Sequence, residues 1–372
     1  MLFDNLKNRI AFIPHAFGLD ISDTSIKFFQ LSRRGNTFDI EAYGQHNIES
    51  GLVSRGLIKD VKKVSEILKT ALKEYGKNGL SDFVIFSVQD EQVFLKSITI
   101  PQISLSELSN TILIEAERSM PIEVKNAYLD YHIIKKDYGD GNMQVLLAAS
   151  KKDAVDALVE VIESSGLRPI IAEPEVVAIA RSVVSPHDFK MALVIVEIGA
   201  NRTRLIGFDD GSVISTGSVN FSADLINQLM AEKLKIDIKE AKKIKWDKNL
   251  FEDPKYGSVV KVVLEKPLSA VVKEIKDNIG NWQAELQNND GGFVPKKIII
   301  SGGGAHIPSI VERLQAELKV PVEKAKPLAN IFGKNKNKSP MNEYLSVPFS
   351  AAIGLALRGV AIDTPDIYKN LD

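Results

Sequence analysis

The sequence predicts an α/β protein built from two related halves, and three observations carry that expectation. The first is the stretch 296–308, KKIIISGGGAHIP, in which a β-branched run passes through three glycines into a helical pattern at Ile310, Val311 and Leu314. Such a stretch is the end of a buried strand in an α/β sheet, where these sheets bind ligands. The second is a theme of strand, tight turn and strand that opens at Phe17 and returns at Met191. Sliding the first copy by 177 positions lays Asp20 on Glu197, Ser22 on Gly199 and Lys27 on Arg204. A repeat of that length is a duplicated domain, not a solenoid unit. The third is the alternation of strand-like and helical patterns along the chain.

Composition agrees with this. At 372 residues the chain has room for two or more domains, and 44% apolar with 26% charged residues is the balance of a soluble globular protein. With 47 basic and 48 acidic residues, no global attraction to nucleic acid or anionic membrane is expected. The absence of cysteine excludes disulfides, thiol nucleophiles and thiolate metal sites. No stretch approaches the ~20 apolar residues that span a bilayer, so membrane association is expected only through a partner.

In chain order, residues 1–11 read as a loose leader, and Phe17 to Tyr43 as a meander of three strands with turns at 22–24 and 34–36. Asp60 is placed to cap a helix, because Val61, Val64, Ile67, Leu68, Ala71 and Leu72 recur at helical spacing and Gly76 and Gly79 stop it. Strands are predicted at Phe83–Val88 and Glu91–Ile98. A helix over Leu105–Ser119, a half-exposed strand around Ala127, Leu129 and Tyr131, a strand over Met143–Ala149 and a helix through Ala154, Leu158 and Ile162 form a small α+β unit. A strand near Pro169–Ile171 follows, and Glu173 and Pro174 open another helix. After the second meander come helices over Ser222–Lys233 and Leu268–Leu286, separated by a segment with seven lysines between Lys233 and Lys248. The glycine-bearing strand, a helix over Ile310–Leu318, a strand over Val320–Glu323 and a last helix over Phe349–Arg358 complete the chain. The basic run 333–338 reads as solvated surface.

Three turns now follow predicted strands: Gly18–Ser25, Glu197–Thr203 and Gly302–Ala305. Small residues leave successive N–H groups free to face anionic oxygens, and a carboxylate at the strand end can orient a metal-bound water. Asp, Gly and Ser are also ordinary turn residues. Two such turns at duplicate positions, with a triple glycine in the second half, favour a nucleotide site over a plain connection. The five histidines lack metal spacing, with His306 a turn residue, and Ser301 lacks the glycine elbow of a hydrolase nucleophile. Trp246 and Trp282 lie outside any aromatic-basic array, so no nucleic-acid module is expected.

The three turns resemble the phosphate-1, phosphate-2 and adenosine motifs of the actin-like ATPase superfamily. Within it the chain is similar over nearly its whole length to the type IV pilus assembly PilM family, relatives of the division protein FtsA. The blocks FGLDISDTSIKFFQL, EAERSMPIEVKNAYLDYHII, AEPEVVAIAR, SGGGAHIPSIVERLQAEL and FSAAIGLALR carry the resemblance. It implies two ribonuclease-H-like domains around a cleft, with an inserted 1C subdomain. The implied boundaries are 12–100 for 1A, 101–170 for 1C, 171–190 for a connecting helix completing 1A, 191–225 for the first part of 2A, 226–290 for 2B, and 291–372 for the rest of 2A with the C-terminal helix. The implied ligands are ATP or ADP with Mg²⁺. The implied partner is a PilN-like inner-membrane protein, held by its cytoplasmic N-terminal peptide against 1A and 1C, where the segment Lys125–Ile134 offers an apolar groove or a strand edge. Other pilus platform components and self-association are further possibilities, and the location is cytoplasmic, peripheral to the inner membrane.

By resemblance, Asp20, Ser22, Asp23, Thr24, Ser25 and Lys27 belong to the first phosphate loop, and Glu197, Gly199, Ala200, Asn201 and Thr203 to the second. Gly302, Gly303 and Gly304 line the adenosine side, and Lys233 and Lys239 meet the base or ribose. Asp20 and Glu197 are the metal-facing carboxylates, and Glu173 and Glu197 the catalytic acids. Ser22 stands where glycine is common. Glu197 stands where aspartate is typical, and its extra methylene moves the carboxylate by roughly 1.5 Å, which disfavours hydrolysis more than binding. The alternatives are an FtsA-like polymerising division protein, disfavoured by the absence of an amphipathic tail, and a small-molecule kinase of the same fold, disfavoured by the lack of a clear substrate base.

Overall fold

The computed structural model describes residues 15–34, 37–75, 79–137, 141–244, 253–285, 292–307, 309–332 and 339–361. The leader, the turn residues 35 and 36, Trp246, Pro308 and the basic run 333–338 lie outside them.

The first half opens with β1 (Ala16–Ile21), β2 (Ser25–Arg34) and β3 (Thr37–Asn47), an antiparallel meander. A short hairpin of β4 (Val53–Ser54) and β5 (Leu57–Ile58) leads to α1 (Val61–Tyr75) and to β6 (Phe83–Val88), which lies parallel to β1. Asp60 caps α1 as expected, its Oδ1 accepting from the Lys63 N–H at 2.9 Å. Asp60→Ala is expected to cost about 1 kcal/mol, read as a lower denaturation midpoint; an unchanged midpoint would show that the cap contributes nothing.

Next come β7 (Val93–Pro101), α2 (Leu105–Ser119), β8 (Ala127–Lys135) and β9 (Asn142–Lys151), which form a separate sheet in the order β7-β9-β8. Ile100, Leu108, Ile112, Ala116, Met143, Val145 and Leu147 make its own core. The chain then returns to the first body through α3 (Lys152–Ser164), β10 (Arg168–Pro174) and α4 (Glu175–Val183). β7 belongs to the insert, while α3 buries Val155, Leu158, Val161 and Ile162 with Phe17, Leu19 and Val84 of the first half. Parallel pairing of β10 with β6 keeps the chain extended through Pro174, so the helix predicted from Glu173 starts at Glu175.

The second half repeats the plan with β11 (Leu193–Ile198), β12 (Thr203–Asp209) and β13 (Ser212–Val219). It continues through α5 (Ala223–Leu234), α6 (Ile238–Ile244), α7 (Gly257–Glu285), β14 (Lys297–Ser301), α8 (Ile310–Leu318) and β15 (Val322–Lys324). The two five-stranded sheets run β10-β6-β1-β2-β3 and β15-β14-β11-β12-β13, so each has an antiparallel meander flanked by two parallel strands. The register repeats too: Asp20 faces Lys27 across the first hairpin and Glu197 faces Arg204 across the second. The helix expected from Leu268 begins at Gly257 and carries Pro267 inside it. Burial of Val260, Val263 and Leu264 holds the turns ahead of the proline.

After α9 (Ala329–Phe332) and α10 (Glu343–Ser346), the last described helix is α11 (Ser350–Ala361). The resemblance groups it with the second half, and its apolar side chains pack on the first. Ala352, Ile353 and Ala356 join Phe29 and Leu31, and Leu355 joins Ala16, Ile85 and Ala178, all in the first half. Gly18 permits the approach, because a Cβ there would lie 2.3 Å from the Ala352 carbonyl oxygen.

Candidate functional site

The ends of β1, β11 and β14 converge on a cleft of about 380 Å³ between the halves, within the range of small-molecule sites. Two turns shape its floor. In the first, the Ser22 N–H donates to the Ser25 carbonyl at 2.9 Å, and the Ser22 hydroxyl accepts from the Ser25 N–H at 3.2 Å. Asp23 is anchored by the N–H groups of Arg55 and Gly56, each at 3.0 Å. In the second, the Gly199 N–H donates to the Arg202 carbonyl at 2.8 Å, while the carbonyls of Gly199 and Ala200 accept from the first N–H groups of α5. That bonding locks the loop to the helix start.

Of the residues assigned from the resemblance, Asp20, Ser22, Asp23, Thr24, Ser25, Lys27, Glu197, Gly199, Ala200, Asn201 and Gly303 line this cleft. The other two glycines do a different job. Gly302 has φ +76° and a Cβ on it would lie 2.4 Å from Glu197 Oε1, while one on Gly304 would lie 2.0 Å from Ile198 Cγ2. They let β14 end against the end of β11. A Cβ on Gly303 meets nothing within 4 Å.

Four assignments do not reach the cleft. Glu173 is buried against two arginines, accepting from Arg181 through Nη1 at 2.6 Å and Nη2 at 2.7 Å, and from Arg358. It is a structural carboxylate, and the acid that lines the cleft is Glu175 at the start of α4. Thr203 is fully buried, with its hydroxyl donating to the Phe221 carbonyl at 2.9 Å. Lys233 is exposed and six residues past Asn227, which does line the cleft; at 100° per residue that spacing points it elsewhere. Lys239 on α6 is likewise exposed and outside the lining, where Lys242 is the contributing lysine. His306 stacks on Tyr344 with ring centroids 3.7 Å apart, and burial pushes its imidazole down to about 4.

The charged network was only partly visible in the sequence. Asp20, 3% exposed, accepts from the Ser87 hydroxyl at 2.8 Å and from Gln89 Nε2 at 3.4 Å, with Lys27 Nζ 3.8 Å away. Gln89 Oε1 accepts from Arg204 Nη2 at 2.9 Å, and Arg204 Nη1 donates to Glu197 at 2.9 Å. Arg204 Nη2 also lies 3.0 Å from Glu175. Two more contacts join the halves: Arg202 pairs with Glu91, and Asn201 Nδ2 donates to Asp23 at 3.3 Å. Burial pushes the Glu175 carboxyl well up, Arg204 opposing and Asp20, Glu197 and Glu91 adding to the rise. Burial also pushes Asp90 up to about 6, again against Arg204. Arg204 itself is disfavoured by burial, but Glu175 and Glu197 outweigh that and hold it firmly charged.

The lining suits a polyphosphate: the hydroxyls of Ser22, Thr24 and Ser25 and the cations Lys27, Arg202 and Arg204 share one cleft with two short-residue turns. A metal held by Glu197 does not fit, because Arg204 already occupies that carboxylate. Among the described residues no cluster of three or more carboxylates and histidines is arranged around a metal position.

Two like sheets with paired turns around an interdomain cleft define an actin-like architecture. The chain belongs to the family "Type IV pilus assembly protein PilM", which it matches over residues 18–360. Among solved structures, a PilM-PilN type IV pilus biogenesis complex gives a TM-score of 0.78 at 21% identity, covering 94% of this chain and 99% of that one. MreB5 of Spiroplasma citri bound to AMPPNP gives 0.54 at 13% identity, over 95% and 97%. EutJ from Carboxydothermus hydrogenoformans gives 0.54 at 14% identity, over 92% and 89%. The likeness to these structures is one of fold.

Proposed function

We propose that the chain is a cytoplasmic scaffold of the type IV pilus assembly complex that binds ATP or ADP in its cleft and associates with a PilN-like membrane protein. The observation that carries this is the family match across both halves and the insert, together with two phosphate-type turns facing one cleft. The solved relative titled as a PilM-PilN complex supports the partner. No helix among the described residues is long and apolar enough to cross a membrane, so membrane attachment through that partner fits. β8 pairs only with β9 among the described residues, leaving an edge of the insert for an extended peptide to join as a strand. Of the two carboxylates assigned to Mg²⁺, Asp20 is the one without an arginine partner and therefore the one to face ions carried in on the phosphates.

Nucleotide titration of the full chain tests this, with Gly303→Leu as the informative variant. Its added side chain enters open cleft space, so the fold is kept while ADP affinity falls by at least about tenfold, or about 1.4 kcal/mol. A folded Gly303→Leu chain that binds ADP like the wild type would overturn the cleft assignment. Titration with a PilN-like N-terminal peptide is expected to saturate, and absence of binding would remove the partner.

A further inference from the structure

In both halves a cation faces the carboxylate at the strand end, but the two pairs are not equivalent. Lys27 stands 3.8 Å from Asp20, whereas Arg204 is 7% exposed and donates to Glu197 at 2.9 Å. The planar guanidinium spans two carboxylates, with Nη2 turned to Glu175 at 3.0 Å and to Gln89 at 2.9 Å. Glu197 has little freedom to leave it. Its Oε1 faces the backbone of Gly302, where even a Cβ would come within 2.4 Å, and its Oε2 is the atom that Arg204 holds. The guanidinium also lies beside the phosphate-type turn, since a Cβ on Gly199 would be 3.7 Å from Nη1. Asp90 and Glu91 add further negative charge nearby.

We infer that Arg204 is a resident cation of the cleft: its guanidinium fills the space between Glu197 and Glu175 and keeps a divalent metal out of it. Direct ligation of Mg²⁺ needs oxygens about 2.0–2.1 Å from the ion in near-octahedral geometry. Carboxylates each about 3 Å from an intervening guanidinium nitrogen cannot supply that while the arginine stays. A fixed guanidinium beside the turn also meets phosphate oxygens with positive charge that no dissociation removes. This second consequence rests on the nucleotide reading; the exclusion of the metal does not.

The test is a titration of the nucleotide-free full chain with Mn²⁺ alone, following free Mn²⁺ by electron paramagnetic resonance. Removing the arginine leaves buried carboxylates uncompensated, so Arg204→Met is expected to bind Mn²⁺ about 100-fold or more tightly than the wild type. Arg204→Lys, which keeps a cation, is expected to stay near the wild type. A folded Arg204→Met chain that gains no Mn²⁺ affinity overturns the proposal, as does a wild-type chain that already binds as tightly as the variant. Should Arg204→Met not fold, Arg204→Gln replaces it, because the amide can still donate to one carboxylate. A parallel ADP titration of the wild type, in Mg²⁺ and in EDTA, tests the nucleotide reading separately. Loss of all ADP binding in both conditions would sink the nucleotide reading while leaving the Mn²⁺ comparison to decide the role of Arg204.

Discussion

Glu173→Gln is expected to lower the stability of the folded chain by about 3–5 kcal/mol at neutral pH, because it removes the buried negative charge that Arg181 and Arg358 share. The carboxyl is 1% exposed and accepts from both terminal nitrogens of Arg181 and from Arg358. Burial alone would raise its pKa, but Arg181 and then Arg358 outweigh burial and hold it below the ordinary value of 4.5. A carboxylate whose folded pKa is depressed stabilises the fold above its unfolded pKa and loses that contribution as pH falls through the folded value. Below about pH 4.5 the wild type should therefore lose stability faster than the variant, so the two midpoints converge on acidification. A catalytic acid in an open cleft gives the opposite signature, a variant with an undiminished midpoint, and that outcome would return Glu173 to the site.

Gly354→Val should be nearly as damaging for a reason of shape alone. A Cβ at Gly354 would lie 1.8 Å from the Ala178 carbonyl oxygen, so α11 and α4 cannot keep their contact around a side chain. The expected loss is about 3 kcal/mol, at the upper end for an overfilled core, and chemical denaturation reads it directly. Gly280→Ala on α7 is the matched control: its Cβ meets nothing within 4 Å, and its midpoint should hold or rise. If the two variants melt together, the contact between α11 and α4 is not what fixes the last helix.

Local features were legible in the sequence where chemistry and spacing coincide. The offset that lays Asp20 on Glu197 and Lys27 on Arg204 reappears as the same cross-strand register in both hairpins. That alignment was already the signal for Arg204, which carries the charge of Lys27 on a fork able to hold two carboxylates. What the sequence hid depends on neighbours far away along the chain. Glu173 and Glu175 are two residues apart, and only the strand running through Pro174 decides which one faces the cleft. The partner that marks Glu173 as structural, Arg358, is 185 positions distant. Three consecutive glycines look alike in sequence, yet only Gly303 has open space at its Cβ, while Gly302 and Gly304 admit the backbone of β11. The apolar character of α11 declares it buried without saying which half it covers.

The placement of α11 bears on how the chain is made. The first sheet is complete in sequence by Pro174, yet the surface that β1 and β2 present through Gly18, Phe29 and Leu31 is covered by Leu328, Ile331, Met341, Phe349 and α11, all from the end of the second half. During synthesis that surface stays bare while the whole second half is added, a span of nearly half the protein. Contacts that close so late along the chain are slow to form and leave apolar surface open to aggregation in the meantime. The two halves therefore cannot mature one after the other, because the earlier one waits for the last helix of the later one.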